Sequence, residues 1–221
     1  MTDFSQARQN MVDCQIRPNG VVDQSLFDIF ATTPRELFIP EKMQGVAYAD
    51  ESLDIGQGRY LLSPMIHAKM LQAVLPNADD VTLDIGCGYG YSSAILSPLV
   101  STVIACEKNK RQSDKALRLW EKLGACNVVL AEDTGDLLQG VAKHAPYSLI
   151  MLNGAVKDVP QEILDQLSNG GRLITIIRKS RKSQAVIYRK DDSGHVSSVP
   201  LFDAYAPFFT ELESSAAQFQ F

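Results

Sequence analysis

The sequence predicts a doubly wound α/β fold: a mostly parallel sheet with helices on both faces, an N-terminal helical extension and a C-terminal β-hairpin. Three observations carry this. Residues 81–85, 102–106, 128–131, 148–153 and 172–177 are short apolar runs rich in Val, Ile and Leu. Such runs are too short for helices, and their near-continuous hydrophobicity suits strands covered on both faces. Amphipathic stretches at 91–99, 110–123, 135–142 and 159–167 alternate with them, as strand–helix units of a parallel sheet require. A glycine-rich turn joins the first run to the first of these helices.

Each element has a local reason. Residues 3–17 carry Phe4, Ala7, Met11, Val12 and Cys14 at helical spacing, and residues 23–33 form a second helix capped by Asp23 and broken at Thr33-Pro34. The loop 50–62 holds Gly56 and Gly58, which suit unusual dihedrals or a close ligand. Ser63 and Pro64 then read as N-cap and first-turn residue of a helix running to about Leu75. In 110–123, Ala116, Leu117, Leu119, Trp120 and Leu123 form one broad apolar stripe, and Gly124 stops the helix. Pro160 opens the helix at 159–167, which Asn169-Gly170-Gly171 terminates. After a basic turn at 178–182, residues 185–189 and 196–201 read as a hairpin around Asp191-Asp192-Ser193-Gly194, capping one sheet edge. Residues 202–221 read as an extended tail packed on the surface, with core packing expected for Phe208, Phe209, Phe219 and Phe221 and an edge cover or a dimer contact as the alternative. The expectation is a single domain: a helical lid and substrate loop (1–80), an α/β core (81–177), and the hairpin with its tail (178–221).

Composition narrows the function. Apolar residues at 45% and charged residues at 21% exclude a disordered or collagen-like chain. Acids outnumber bases 26 to 21, a net charge of −5, the wrong sign for a generic nucleic-acid or anionic-membrane binder. Cys14, Cys87, Cys106 and Cys126 contain no CxxC pair, and with three histidines no zinc-type spacing arises, so no metal is expected. The N-terminus lacks a basic-then-apolar leader, and no apolar run approaches membrane-spanning length. These features predict a cytoplasmic protein with reduced cysteines.

The chemistry concentrates at Leu83-Asp84-Ile85-Gly86-Cys87-Gly88-Tyr89-Gly90-Tyr91-Ser92. Glycines at 86, 88 and 90 let the backbone turn tightly against a ligand, with the helix N–H groups of the Tyr91 turn aimed at it. A dinucleotide fingerprint needs its third glycine at 91, so no pyrophosphate cradle is indicated. Glu107, about 20 residues beyond the turn and next to Lys108, ends the second strand, where a carboxylate can accept from ribose hydroxyls. Asp133 follows the third strand as a candidate acceptor for an adenine amino group, with a solvated loop acid as the alternative.

The acidic residue ahead of this glycine spacing resembles motif I of class I S-adenosylmethionine-dependent methyltransferases, a Rossmann-like fold. The resemblance implies S-adenosyl-L-methionine as cofactor, with Asp84 near its methionyl amino group, directly or through water. Asp84, Gly86, Cys87, Gly88, Gly90, Tyr91, Glu107, Lys108 and Asp133 are then the candidate cofactor residues. Arg35-Glu36-Leu37-Phe38-Ile39-Pro40, Ala47-Tyr48-Ala49-Asp50, Ile55-Gly56-Gln57-Gly58 and Pro64 narrow it: they resemble the N-terminal pattern of protein-L-isoaspartate O-methyltransferases. Residues 160–173 are similar to that family's fourth helix and fifth strand, so the likeness spans roughly residues 11–177. The hairpin and the PLFDAYAP segment resemble a bacterial isoaspartyl methyltransferase-like branch.

Two departures bear on the acceptor. The family's Gln-Thr-Ile-Ser is Arg59-Tyr60-Leu61-Leu62 here, so Leu62 stands at the substrate-site serine and Ser63, one position later, is spent on its helix cap. The family's Thr-Ala-Ala run is Asn153-Gly154-Ala155. Arg59 is a candidate clamp for an acceptor carboxylate, shielded by Tyr60; a solvent-facing Arg59 is the alternative. The resemblance implies a protein or peptide partner bearing an isoaspartyl carboxylate. A small-molecule acceptor and a non-catalytic cofactor-binding module are the rival readings. Carboxylate methylation asks for positioning rather than acid–base chemistry, so no residue is assigned as catalytic.

Overall fold

The computed structural model describes residues 3–132 and 135–209. The chain opens with α1 (Phe4–Met11), capped by the Asp3 carboxylate, which accepts from the Ser5 and Gln6 N–H groups. Instead of the single helix expected over 3–17, α1 widens into a π turn, Val12–Ile16, then a 3-10 turn, Arg17–Asn19. Pro18 supplies no N–H for a further helical hydrogen bond, so the helix cannot run on unchanged. The five-residue step of the π turn keeps Met11 and Ile16 on the buried face. α2 (Gln24–Thr32) follows its Asp23 cap as expected and buries Leu26, Phe27 and Phe30.

The loop expected at 50–62 is a two-stranded antiparallel hairpin, β1 (Leu53–Gly56) and β2 (Arg59–Leu61), separate from the main sheet. Ser63 caps α3 (Pro64–Val74), its Oγ 3.4 Å from the Ile66 N–H. The core then alternates β3 (Val81–Ile85), α4 (Tyr91–Leu96), β4 (Thr102–Cys106), α5 (Lys110–Leu123), β5 (Val128–Leu130), β6 (Tyr147–Val156), α6 (Gln161–Leu164) and β7 (Leu167–Lys179). The hairpin β8 (Lys182–Lys190) and β9 (Val196–Asp203) completes a seven-stranded sheet in the order β5-β4-β3-β6-β7-β8-β9. The first five strands in this order are parallel, and β8 and β9 join antiparallel at the edge.

Residues 135–142 are not a helix. They hold a 3-10 turn, Leu137–Gln139, and the start of another, Ala142–His144, while Leu137 and Val141 are still buried. Gly140, at φ 63°, breaks the segment, so burial rather than a regular helix satisfies its apolar pattern. The helix expected at 159–167 shrinks to the single turn α6, because β7 already begins at Leu167.

Alternation along the strands sends side chains to two cores. Leu149 and Met151 of β6 join Met11, Phe30, Phe38 and Ile174 on one face, so the N-terminal helices are part of the same apolar cluster as the sheet. Leu83, Ile85, Ile150, Leu152 and Leu173 meet Ile163 on the other. The tail departs from a surface course: the chain after β9 returns to the sheet, where Phe208 bridges Ala155 in parallel, and Phe209 is packed in the core at 1% exposure, as its aromatic character predicts. Phe219 and Phe221 lie outside the described residues.

Candidate active site

The turn between β3 and α4 is built as the glycine spacing requires. Gly90 sits at φ 89° as the N-cap of α4, and its carbonyl accepts from the Trp120 indole N–H at 2.9 Å. A methyl group on Gly90 would lie 2.6–2.7 Å from the Trp120 ring. Left-handed strain and overpacking against an anchored ring add, so Gly90→Ala is expected to cost about 2–3 kcal/mol in thermal or urea unfolding. A cost under about 0.5 kcal/mol would mean that the ring is not fixed there.

Asp84 lies beneath the turn, fully buried. Its carboxylate accepts from Ser92 Oγ (2.6 Å), Ser93 Oγ (2.5 Å) and Asn153 Nδ2 (2.6 Å). Burial raises its pKa, and these three hydrogen bonds oppose the rise. These bonds make Asp84 a tie between the first turn of α4 and the end of β6. Asn153, noted in the sequence only as a departure, is thereby part of the site.

Glu107, at the end of β4, is 3% exposed and accepts four hydrogen bonds from the described residues. Oε2 accepts from Arg59 Nε (2.8 Å) and the Gly88 N–H (3.0 Å); Oε1 accepts from Arg59 Nη2 (3.2 Å) and the Asn109 N–H (2.9 Å). Arg59, 1% exposed, is therefore not solvent-facing: it forms a buried ion pair with Glu107. Its guanidinium stacks on Phe209, 4.6 Å from the ring centroid. The same ring covers Gly86, where an added methyl would fall 2.2 Å from Cε2, and Gly154, where it would fall 3.0 Å from Cδ2. Ile55 of β1 covers Gly88.

The remaining candidates separate. The Tyr91 side chain is not in the crevice but packs edge-on against Phe30, Phe38 and His67. Cys87 lies buried in the turn, and burial, with Asp84 and Glu107 nearby, pushes its thiol pKa well up. Lys108 is exposed beside Glu107, and Tyr60 is half-buried in β2. Leu62 belongs to the apolar core at 2% exposure, and Ser63 is spent on its helix cap. Asp133 lies outside the described residues. Phe209 and Trp120 gave no sequence signal of site contact, because both reach the turn from distant parts of the chain.

A family model for protein-L-isoaspartate(D-aspartate) O-methyltransferase matches residues 6–207. The chain belongs to this family. A protein-L-isoaspartate O-methyltransferase of Herpetosiphon aurantiacus is 34% identical over 210 residues, covering 91% of this chain and 92% of that protein. One of Alteromonas mediterranea is 35% identical over 182 residues, covering 81% and 85%. A solved protein-L-isoaspartate O-methyltransferase superimposes with a TM-score of 0.75 at 26% identity, covering 91% of this chain and 65% of that one. A putative protein-L-isoaspartate O-methyltransferase of Plasmodium falciparum, solved with S-adenosyl-L-homocysteine, has the same fold, with a TM-score of 0.75 at 18% identity and coverage of 92% and 98%. The architecture is thus the Rossmann-like methyltransferase fold of the family, with the N-terminal helices and C-terminal strands in place.

The donor set suits the adenosyl cofactor of such enzymes. Glu107 offers carboxylate oxygens to a sugar diol, and Gly86 and Gly88 present backbone without Cβ atoms. Among the described residues, no group of three or more His, Cys, Asp or Glu could hold a metal ion. Nor is any helix long and apolar enough to cross a membrane.

Proposed function

We propose that this protein is an S-adenosylmethionine-dependent O-methyltransferase that esterifies isoaspartyl carboxylates of proteins and peptides. The observation that carries the reading is the family match over residues 6–207, a span that includes the Asp84–Gly90 turn and Glu107. Glu107 would hold the sugar hydroxyls, and Gly86 and Gly88 would admit the nucleoside against the backbone. When bound, S-adenosylmethionine supplies a methyl carbon whose sulfur departs with the bonding electrons as a carboxylate oxygen attaches. Sulfonium and carboxylate charges cancel, and no proton moves. An isoaspartyl carboxylate is already ionised at neutral pH, since it is an α-carboxyl group with a pKa of about 3.5. The chain's task is therefore to align the acceptor and exclude water, with the hairpin β1–β2 as cover. The cytoplasm is the compartment we assign, in keeping with four free cysteines.

A second reading has an observation of its own. Leu62, at the family's serine position, is packed in the apolar core and offers an acceptor no hydroxyl. This favours a different acceptor for the same cofactor. Incubation with labelled S-adenosylmethionine and an isoaspartyl peptide separates the two. Base-labile label on the peptide is the expected result. Cofactor binding without peptide ester would transfer the assignment to another acceptor, and Leu62→Ser would then be the variant to assay.

A further inference from the structure

We infer that Arg59 and Phe209 form an internal plug in the cofactor crevice, so that the free protein is a self-blocked state which the nucleoside must open. The inference rests on the cofactor assignment just made. Its core is the hydrogen-bond inventory of Glu107. An ionised carboxylate offers about four acceptor directions, and donors among the described residues already fill that number. The two from Gly88 and Asn109 come from the backbone of the turn and of the residue capping α5, and they stay with the fold. A sugar diol can only take the two that Arg59 uses.

Phe209 closes the same space from the other side. Its ring lies on Gly86 and Gly154 and under the Arg59 guanidinium, where a ligand would have to meet bare backbone. Ligand and plug therefore compete for the same surface.

Both parts of the plug are buried, but both lie on segments outside the seven-stranded sheet. Arg59 follows the turn Gly56-Gln57-Gly58, all at positive φ (87°, 60° and 68°), in a hairpin whose strands pair only with each other. Among the described residues the Phe209 backbone is tied to the sheet through its bridge to Ala155: its N–H donates to the Ala155 carbonyl (2.8 Å), and the Ala155 N–H donates to the Pro207 carbonyl (3.0 Å). Gln112 Nε2 also donates to the Ile55 and Gly56 carbonyls of the hairpin, yet neither segment belongs to the seven-stranded sheet, and segments outside a sheet open at lower free energy than the sheet itself. Glu107 and the glycine turn lie within the sheet and do not share that freedom. The cost of opening then appears as weakened apparent affinity, by the factor by which the open form is depleted.

The test is calorimetric titration of S-adenosyl-L-homocysteine into the full chain, its Phe209→Ala variant and its Arg59→Met variant. Both variants are expected to bind at least about five-fold more tightly than the wild type, since each raises the open fraction. In the wild type, saturating ligand should speed hydrogen exchange at the Phe209 amide as the plug leaves. Wild-type binding with equal or weaker affinity in both variants would overturn the plug and leave the cofactor assignment standing. Binding by the variants alone would support the plug in its strongest form. No binding by any of the three would overturn the cofactor assignment, and the plug with it.

Discussion

Glu107→Ala is expected to lower the unfolding free energy by about 3–5 kcal/mol and to abolish S-adenosylmethionine binding. The size follows from burial. The substitution withdraws a bidentate carboxylate from a guanidinium that is 1% exposed, and it strips the Gly88 and Asn109 N–H groups of their acceptor. An exposed pair such as Lys110–Asp114, with side chains 88% and 41% accessible, stands at the opposite limit of a few tenths of a kcal/mol. Structural and ligand roles can be separated. The double variant Arg59→Met, Glu107→Leu removes both charges and should regain much of the stability in urea denaturation, yet still fail to bind the nucleoside in calorimetry. Glu107→Gln keeps the shape of the side chain and provides a folded background for the binding measurement. A Glu107→Ala protein within about 1 kcal/mol of wild type would show that the ion pair is not the buried contact described here.

Acidification from pH 7 to pH 3 is expected to cost about 4 kcal/mol through His67 alone. Burial lowers its pKa from 6.5 to about 3, and the neighbouring Arg35 cation adds to the effect. The ring packs edge-on against Phe30 at 5.5 Å and beside Tyr91 at 5.8 Å. Tyr91, raised by burial to about 12, stays neutral and offers no compensating charge. The unfolded chain binds a proton at His67 below pH 6.5 while the folded chain does not until about pH 3. Stability conferred by the neutral imidazole is therefore complete above pH 6.5 and is lost progressively as the pH falls towards 3. Wild type and His67→Gln, compared by urea denaturation at several pH values, should differ in slope by close to one proton between pH 6 and 4. Parallel curves would place His67 in contact with water.

Local pattern determined much of this protein. β3, β4 and α5 fall where short apolar runs and a capped amphipathic stripe place them, because period, cap and stop signals all lie within a few residues. The glycine turn and the helix cap at Ser63 were legible for the same reason, and so was the family, whose signature is a string of local motifs. Segment 135–142 shows the limit of such reading: its apolar spacing is real, but Gly140 and the packing of Leu137 and Val141 decide the shape.

The occupants of the crevice were decided only in three dimensions. Arg59 and Glu107 are 48 residues apart in the chain, and the carboxylate seeks whatever cation the fold delivers to a site without water. Phe209 arrives from beyond the last strand, where the Ala155 backbone at the end of β6 pairs with it and Gly86 and Gly154 leave room for its ring. Asp84 bonds to Ser92, Ser93 and Asn153 because the turn folds them over it. Periodicity reports which face a residue takes, whereas the pairing of buried charges depends on contacts that exist only once the sheet has assembled.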